Sequence, residues 1–310
     1  MTAAAARATL EALRNATLAI ERPFLDDAAM NKILVCTDGS AYSFVCYDYA
    51  AWVAQRTGAA LDVLYVSDLR LFEVPMVADL SGSLGVQPYQ AVLGQLQEFE
   101  QERAKAILEQ ARAHFAAKAP QTTVTLTHKL GFLVDTFNEF EARADLIMLG
   151  KRGENANFAT EHLGSTMERI VRASHKPCMV TSRAFKPVER ILFAYDGGRS
   201  CQKALEYLTT TSAFREIELH VVTVAAPGEE EAALKTLQAA EGVLRAADCA
   251  PVAQMLVGAA DNEISAYVES RGINLLIMGA YGHSRIRQLI IGSTTTSMIR
   301  RCKVPVLLFR

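Results

Sequence analysis

Six cysteines, Cys36, Cys46, Cys178, Cys201, Cys249 and Cys302, are all that 310 residues contain. None forms a C-x-x-C pair or a Cys/His spacing suited to zinc, which excludes a thiolate metal site and a disulfide scaffold. Most lie inside apolar runs, where a free thiol behaves as a small hydrophobe, so a reduced, cytoplasmic protein is expected. No uninterrupted apolar stretch reaches the roughly 18–20 residues of a membrane span. The Ala-rich segment Met1 to Ala29 is broken by Arg7, Glu11, Arg14, Glu21 and Arg22 and so lacks a signal-peptide core. Charge of one sign is missing too: 32 Lys and Arg stand against 34 Asp and Glu, without a long block of either. Neither nucleic acid nor an anionic membrane finds a footprint there. Eighteen scattered Gly and nine Pro exclude a collagen-like chain, and 50% hydrophobic residues exclude disorder.

What remains is a globular chain of roughly two domains by length, and the sequence repeats itself. Lys32-Ile-Leu-Val-Cys-Thr-Asp38-Gly39-Ser40 returns as Arg190-Ile-Leu-Phe-Ala-Tyr-Asp196-Gly197-Gly198, 158 residues later. Asp145-Leu-Ile-Met-Leu-Gly150 returns as Asn274-Leu-Leu-Ile-Met-Gly279, and Lys176-Pro177-Cys-Met-Val-Thr as Val304-Pro305-Val-Leu-Leu-Phe, both offset by about 128. The first copy therefore holds about thirty extra residues between its second and third strands. The segment near 70–97, rich in Gly, Pro and Ser, is expected to carry them as a surface excursion.

Second-strand candidates are Leu61 to Val66 and Glu218 to Val224; third-strand candidates are Thr123 to Thr127 and Pro251 to Leu256. Helical stretches fall at Ser43 to Arg56, Glu98 to Lys118, Val134 to Arg143 and Glu229 to Ala247. The order is β-α-β-α-β-α-β-α-β in each copy. Near-continuous apolar strands are buried on both faces, which predicts an α/β fold of two tandem five-stranded parallel sheets, Rossmann-like or flavodoxin-like, with helices on both sides. The expected division is an N-terminal extension 1–30, a first domain 31–184 and a second 188–310. The short linker around Pro187 implies that the domains pack together.

After the fourth strand of the second copy stands Gly279-Ala-Tyr-Gly282-His283-Ser-Arg-Ile-Arg-Gln-Leu-Ile-Ile-Gly292-Ser293-Thr294, a G-x2-G-x9-G-[ST] pattern. Glycines admit positive φ and a close approach to an anion, and a helix opening on Gly-Ser-Thr aims N–H groups, hydroxyls and its positive dipole end at one point. In a parallel sheet this loop lies at the carboxyl ends of the strands, where ligands bind. Asp196 shares that rim.

On these motifs both copies resemble universal stress protein domains, and the chain resembles a tandem, ATP-binding member of that family from Asn31 to Phe309. The resemblance implies that Asp196 contacts the adenosine, that a backbone group at Val224 contacts adenine, and that Met278, Gly279, Gly282, His283, Gly292, Ser293 and Thr294 surround ribose and phosphates. It implies ATP, or ADP or AMP, with Mg²⁺ as companion ion. It also implies edge-to-edge pairing of Cys178 to Ser182 with Val304 to Phe309, a homodimer of tandem chains, an unidentified protein partner, and a role in stress response.

The corresponding residues of the first copy are Asp38, Val66, Gly150, Gly153, Gly164, Ser165 and Thr166. Here the loop is one residue longer and contains Glu154 and Glu161, while Lys151 and Arg152 bring positive charge, so a weaker site is expected. Singly, each feature also has a plain structural reading: Asp-Gly as a turn, glycines as helix caps, Arg285 and Arg287 as a solvated face. Neither G-x-x-x-x-G-K-[ST] nor G-x-S-x-G occurs, and no helix after a first strand opens with G-x-G-x-x-G. The chain therefore reads as a nucleotide-binding protein with at most weak ATPase activity. The alternatives are a slow ATPase or phosphotransferase using His283 or a Ser or Thr of the loop, and an interaction module without nucleotide.

Overall fold

A computed structural model describes residues 30–68, 86–153, 165–280 and 292–310, with side chains described for all of these except 86–93 and 165. The first copy runs β1 (Lys32–Thr37), α1 (Ala41–Thr57), β2 (Ala60–Asp68), α2 (Val86–Lys118), β3 (Val124–Gly131), α3 (Leu133–Glu141), β4 (Leu146–Gly150), α4 (Ser165–Ala173) and β5 (Cys178–Thr181). The second runs β6 (Arg190–Ala194), α5 (Arg199–Thr210), β7 (Glu218–Ala225), α6 (Glu230–Ala246), β8 (Val252–Val257), α7 (Ala260–Ser270), β9 (Leu275–Gly279), α8 (Ser293–Arg301) and β10 (Val306–Phe309). The alternation read from the sequence is the alternation found. One correction concerns the excursion expected near 70–97: its last part, from Val86, is the start of α2. Pro88 had argued against helix, but it lies in the first turn, where proline's missing N–H has no intrahelical acceptor to lose. Residues 69–85 lie outside the described residues.

The ten strands among the described residues form one sheet, in the order β3-β2-β1-β4-β5-β10-β9-β6-β7-β8. Every pairing is parallel except the central one, where Val306, Leu307 and Leu308 of β10 run antiparallel to Val180, Met179 and Cys178 of β5. The implied edge-to-edge pairing of the last strands is thus present, and it removes an open edge from each copy. Strands such as Ile33-Leu34-Val35 and Leu275-Leu276-Ile277 are covered on both faces because α1, α2, α5 and α6 pack on one side and α3, α4, α7 and α8 on the other. Each hydrophobic layer runs through both copies without a break: one joins Val35 and Phe115 to Phe193 and Leu237, the other Ile147 and Ile170 to Leu276 and Met298. Side-chain contacts reinforce the seam. Trp52 stacks on Phe214 at 6.4 Å, and the Arg56 guanidinium donates to the carbonyls of Ala213 and Arg215 at 2.7 and 2.6 Å. The linker is held in turn by the Tyr49 hydroxyl, which accepts from the Lys186 amide at 3.2 Å, while Val188 is buried.

Candidate functional site

β1 lies between β2 and β4, and β6 between β7 and β9. The chain leaves β1 and β4 to opposite sides of the sheet, and likewise β6 and β9, which opens a crevice at their carboxyl ends, where ligands bind in open α/β sheets. Register places the expected residues there. Cys36 pairs with Leu64 and Leu149, so Asp38, Val66 and Gly150 follow side by side just beyond. Ala194 pairs with Val222 and Met278, so Asp196, Val224 and Gly279 do the same.

In the second copy the ladder runs one bond past β6, with the Tyr195 amide donating to Val222 at 2.8 Å and the Thr223 hydroxyl donating to the Tyr195 carbonyl at 2.9 Å. That clamp sets up the turn carrying Asp196, which is exposed and whose Oδ1 accepts from the Gly198 amide at 2.8 Å. Gly197 supplies the left-handed φ of +76° that lets the chain turn into α5. Val224 is half-buried and Met278 buried beneath the rim. α8 begins at Gly292, whose amide donates to the Ala280 carbonyl at 3.3 Å, and the buried Thr295 hydroxyl reaches the carbonyls of Gly279 and Ala280 at 3.3 and 3.2 Å. The N-terminus of α8 is thereby tied to the end of β9, beside the end of β6. Its first N–H groups have no acceptor within the helix, a glycine N-cap cannot cover them, and the first turn has no acid. Ser293 is exposed and Thr294 half-buried there. Gly282 and His283 lie outside the described residues, as do Arg285 and Arg287.

The first copy builds the same frame with different chemistry. Asp38 Oδ1 accepts from the Ser43 hydroxyl at 2.8 Å and the Ser40 amide at 3.0 Å, with Gly39 at φ +76°. Its Oδ2 lies so close over Gly153 that a Cβ there would approach within 2.5 Å. Ser40 Oγ is buried without a hydrogen-bond partner among the described residues, a group a ligand would satisfy. Against an anion stand Glu168 in the first turn of α4, and Arg169 of that helix held by Asp68 at 3.3 Å. Val66 is half-buried and Thr166 exposed; Gly164 lies outside the described residues, and of Ser165 only the backbone is described, as the first residue of α4.

Two expectations are corrected. Lys151 does not bring its charge to the first crevice: its ammonium donates to the carbonyls of Arg300 and Cys302 at 2.8 and 3.0 Å, at the far end of α8, and burial lowers its pKa to about 8. Nor do the motif glycines Gly150, Gly153, Gly279 and Gly292 take positive φ; it is the turn glycines Gly39 and Gly197, after β1 and β6, that do so in the two Asp-Gly turns. A Cβ on Gly150 would meet Tyr42 Cβ at 2.9 Å, and one on Gly279 would meet Ser200 Cβ at 3.0 Å. These two glycines let the first turns of α1 and α5 close onto the ends of the neighbouring strands β4 and β9, a packing role that spacing alone could not separate from anion contact.

Sequence reasoning passed over Ser43, Thr223 and Thr295, which position the site through hydroxyl bonds; only the Ser-Thr-Thr-Thr run hinted at the last. In the first copy the place of Thr295 is taken by Met167, which joins the core. A cavity of about 230 Å³ lies apart from the strand ends, between the linker and the second copy, with Tyr49, Lys186, Glu269, Arg301 and Lys303 in its wall. None of the strand-end residues lines it. Among the described residues no helix is long and apolar enough to cross a membrane.

Residues 30–182 and 187–310 each match the universal stress protein family. The chain is 43% identical over 287 residues to the universal stress protein Slr1230 of Synechocystis, a match covering 91% of this chain and all of that one. A shorter stretch of 56 residues is 30% identical to the universal stress protein MJ0577 of Methanocaldococcus jannaschii, covering 18% of this chain and 35% of that protein. The crystal structure of a universal stress protein from Archaeoglobus fulgidus superposes with a TM-score of 0.67 at 23% identity, covering 91% of this chain and 98% of the other. With two matching domains joined in one sheet, the chain belongs to the universal stress protein family as a tandem member.

Proposed function

We propose that the chain binds an adenine nucleotide, ATP or its ADP and AMP forms, in the crevice of the second copy, with a weaker site in the first. The observation that carries this is the acid-free, uncapped N-terminus of α8 pinned beside the turn that exposes Asp196. Helix amides and dipole suit phosphate, and a fixed carboxylate suits a ribose or adenine donor. Mg²⁺, where it accompanies the nucleotide, is held chiefly by the phosphates: among the described residues no group of three His, Cys, Asp or Glu converges.

Phosphoryl transfer needs a placed base and clamps on the moving group. Asp196, Val224, Gly279, Gly292, Ser293 and Thr294 supply hydrogen bonds and a helix end, which bind. Turnover is accordingly slow at most, and the nucleotide acts as a conformational and stability ligand in the stress response of the cytoplasm. Bound at a hundred times its Kd, it would stabilise the fold by about 2.7 kcal/mol. Pairing of two chains into a four-domain assembly, and recruitment of a protein partner that reads nucleotide state, complete the reading.

Denaturing freshly purified protein and identifying the released nucleotide by chromatography tests it. One nucleotide per chain, lost in Gly292→Val, places the principal site in the second copy; two per chain make both copies sites. No nucleotide, together with no thermal shift on adding Mg-ATP, turns the reading toward an interaction module.

A further inference from the structure

α4 and α8 are the helices that follow the glycine loops, and both end at the central seam. The last carbonyls of a helix have no acceptor role within it. At the end of α8, those of Arg300 and Cys302 take hydrogen bonds from Lys151 at 2.8 and 3.0 Å. At the end of α4, those of Arg172 and Ser174 take bonds from Arg310 Nη1, both at 3.2 Å. Arg172 and Ser174 of the first copy are the counterparts of Arg300 and Cys302 in the second. The two cations are not counterparts of each other: Lys151 follows β4 inside the first glycine loop, whereas Arg310 follows β10. Two unrelated positions therefore deliver a positive charge to the same pair of carbonyls, each from the opposite copy. A cation at that end also complements the negative pole of the helix.

We propose that Lys151 and Arg310 are positioning residues that anchor each nucleotide-facing helix to the opposite copy and so link the two nucleotide sites. This rests on the nucleotide reading given above. α8 is nine residues long, about 13 Å, and its N-terminal amides keep their aim only while both ends are fixed. Thr295 fixes the near end to β9 and Lys151 the far end to the first copy. Because Lys151 is the neighbour of Gly150, any rearrangement of the first glycine loop reaches α8 through one side chain. Thermodynamic linkage then requires the second site to act on the first by the same factor.

The test is ATP affinity of the second site, by calorimetry on the full chain, for wild type, Lys151→Met and Lys151→Arg. Lys151→Met should weaken binding about two- to fivefold, the range of a helix-end charge, and Lys151→Arg should restore it. A pH profile separates anchoring from simple packing. The groups facing the Lys151 ammonium are the Cys302 thiol, pushed up to about 11, and the guanidinium groups of Arg152 and Arg183, so Lys151 itself is the group that changes charge near pH 8. Wild-type affinity should fall between pH 7 and about 9, and that of Lys151→Arg should stay flat. Hydrogen exchange in 293–301 should quicken in Lys151→Met, with or without ligand. Equal affinities for wild type and Lys151→Met, or an Arg variant as weak as the Met one, would overturn the anchoring while leaving the site intact. A wild type that binds no ATP overturns the nucleotide reading, and the linkage with it.

Discussion

The same substitution made in the two copies should have opposite consequences. Asp38 is half-buried, and its Oδ1 takes both the buried Ser43 hydroxyl at 2.8 Å and the Ser40 amide at 3.0 Å. Removing a partner from a buried hydroxyl and a helix-start amide costs about 1–3 kcal/mol. Asp196 is exposed and its Oδ1 holds the Gly198 amide. Water can replace the carboxylate there, so Asp196→Ala should cost no more than about 0.5–1 kcal/mol of stability. At the ligand the order reverses. A hydrogen bond to a charged acceptor contributes about 1.5–3 kcal/mol, so Asp196→Ala should weaken ATP about 10- to 100-fold. Asp38→Ala should leave the tight site nearly untouched. Urea unfolding and calorimetric titration of both variants measure the two effects. An Asp196→Ala protein that binds ATP as wild type does would refute the assignment of the second crevice, and an Asp38→Ala protein with unchanged stability would refute the account of the first turn.

Three further outcomes follow from particular contacts. Gly153→Ala puts a Cβ within 2.5 Å of Asp38 Oδ2 at a position without positive φ, so the carboxylate must move; about 1 kcal/mol of stability should be lost in urea unfolding. Leu307→Asp buries an unpaired charge opposite Met179, both almost wholly inaccessible in the β5–β10 seam. It should cost several kcal/mol and abolish the single cooperative unfolding transition, read by circular dichroism. Burial pushes the thiols of Cys36 and Cys201 up to about 12 and that of Cys302 to about 11, and raises those of Cys46 and Cys178 as well. An aromatic disulfide reagent at pH 8 should modify half-buried Cys249 first, half-buried Cys36 more slowly, and Cys46, Cys178, Cys201 and Cys302 only on unfolding; rapid reaction of any of those four in the native protein contradicts their burial.

The fold was legible because its causes are local and repeated. Apolar runs such as Leu275 to Met278 leave no hydrophilic face, so they announce strands covered on both sides, and the recurrence of Asp-Gly after each first strand fixes where each copy begins. The start of α2 was not legible, because Pro88 signals a break everywhere except in a first turn. In the site, sequence spacing paired Asp38 with Gly150 and Asp196 with Gly279, as the strand register does, and added Gly153, which lies against Asp38, and Gly292, which is bonded to Ala280 beside Gly279. It did not tell which glycine serves backbone conformation and which serves packing, since a missing Cβ looks the same in either case. Lys151 was misplaced for a related reason. A cation beside a glycine loop suggests phosphate, and only the three-dimensional seam reveals helix carbonyls closer by.

The two copies have also parted in what their helices can hold, and the seam gives that divergence a direction. In α8 the first turn is Ser293, Thr294 and Thr295, hydroxyls on a helix start that no acid opposes. In α4 the matching turn contains Met167, turned into the core, and Glu168, with Arg169 already held by Asp68. Negative charge in a first turn works against a bound anion by the same electrostatics that lets it stabilise a free helix. On the nucleotide reading proposed above, the first copy gains stability from what costs it phosphate affinity, and it lends Lys151 to the helix of the other copy. A chain that needed two equal sites would have kept the acid out of both first turns. This one keeps it out of α8 alone, and holds that helix at both ends.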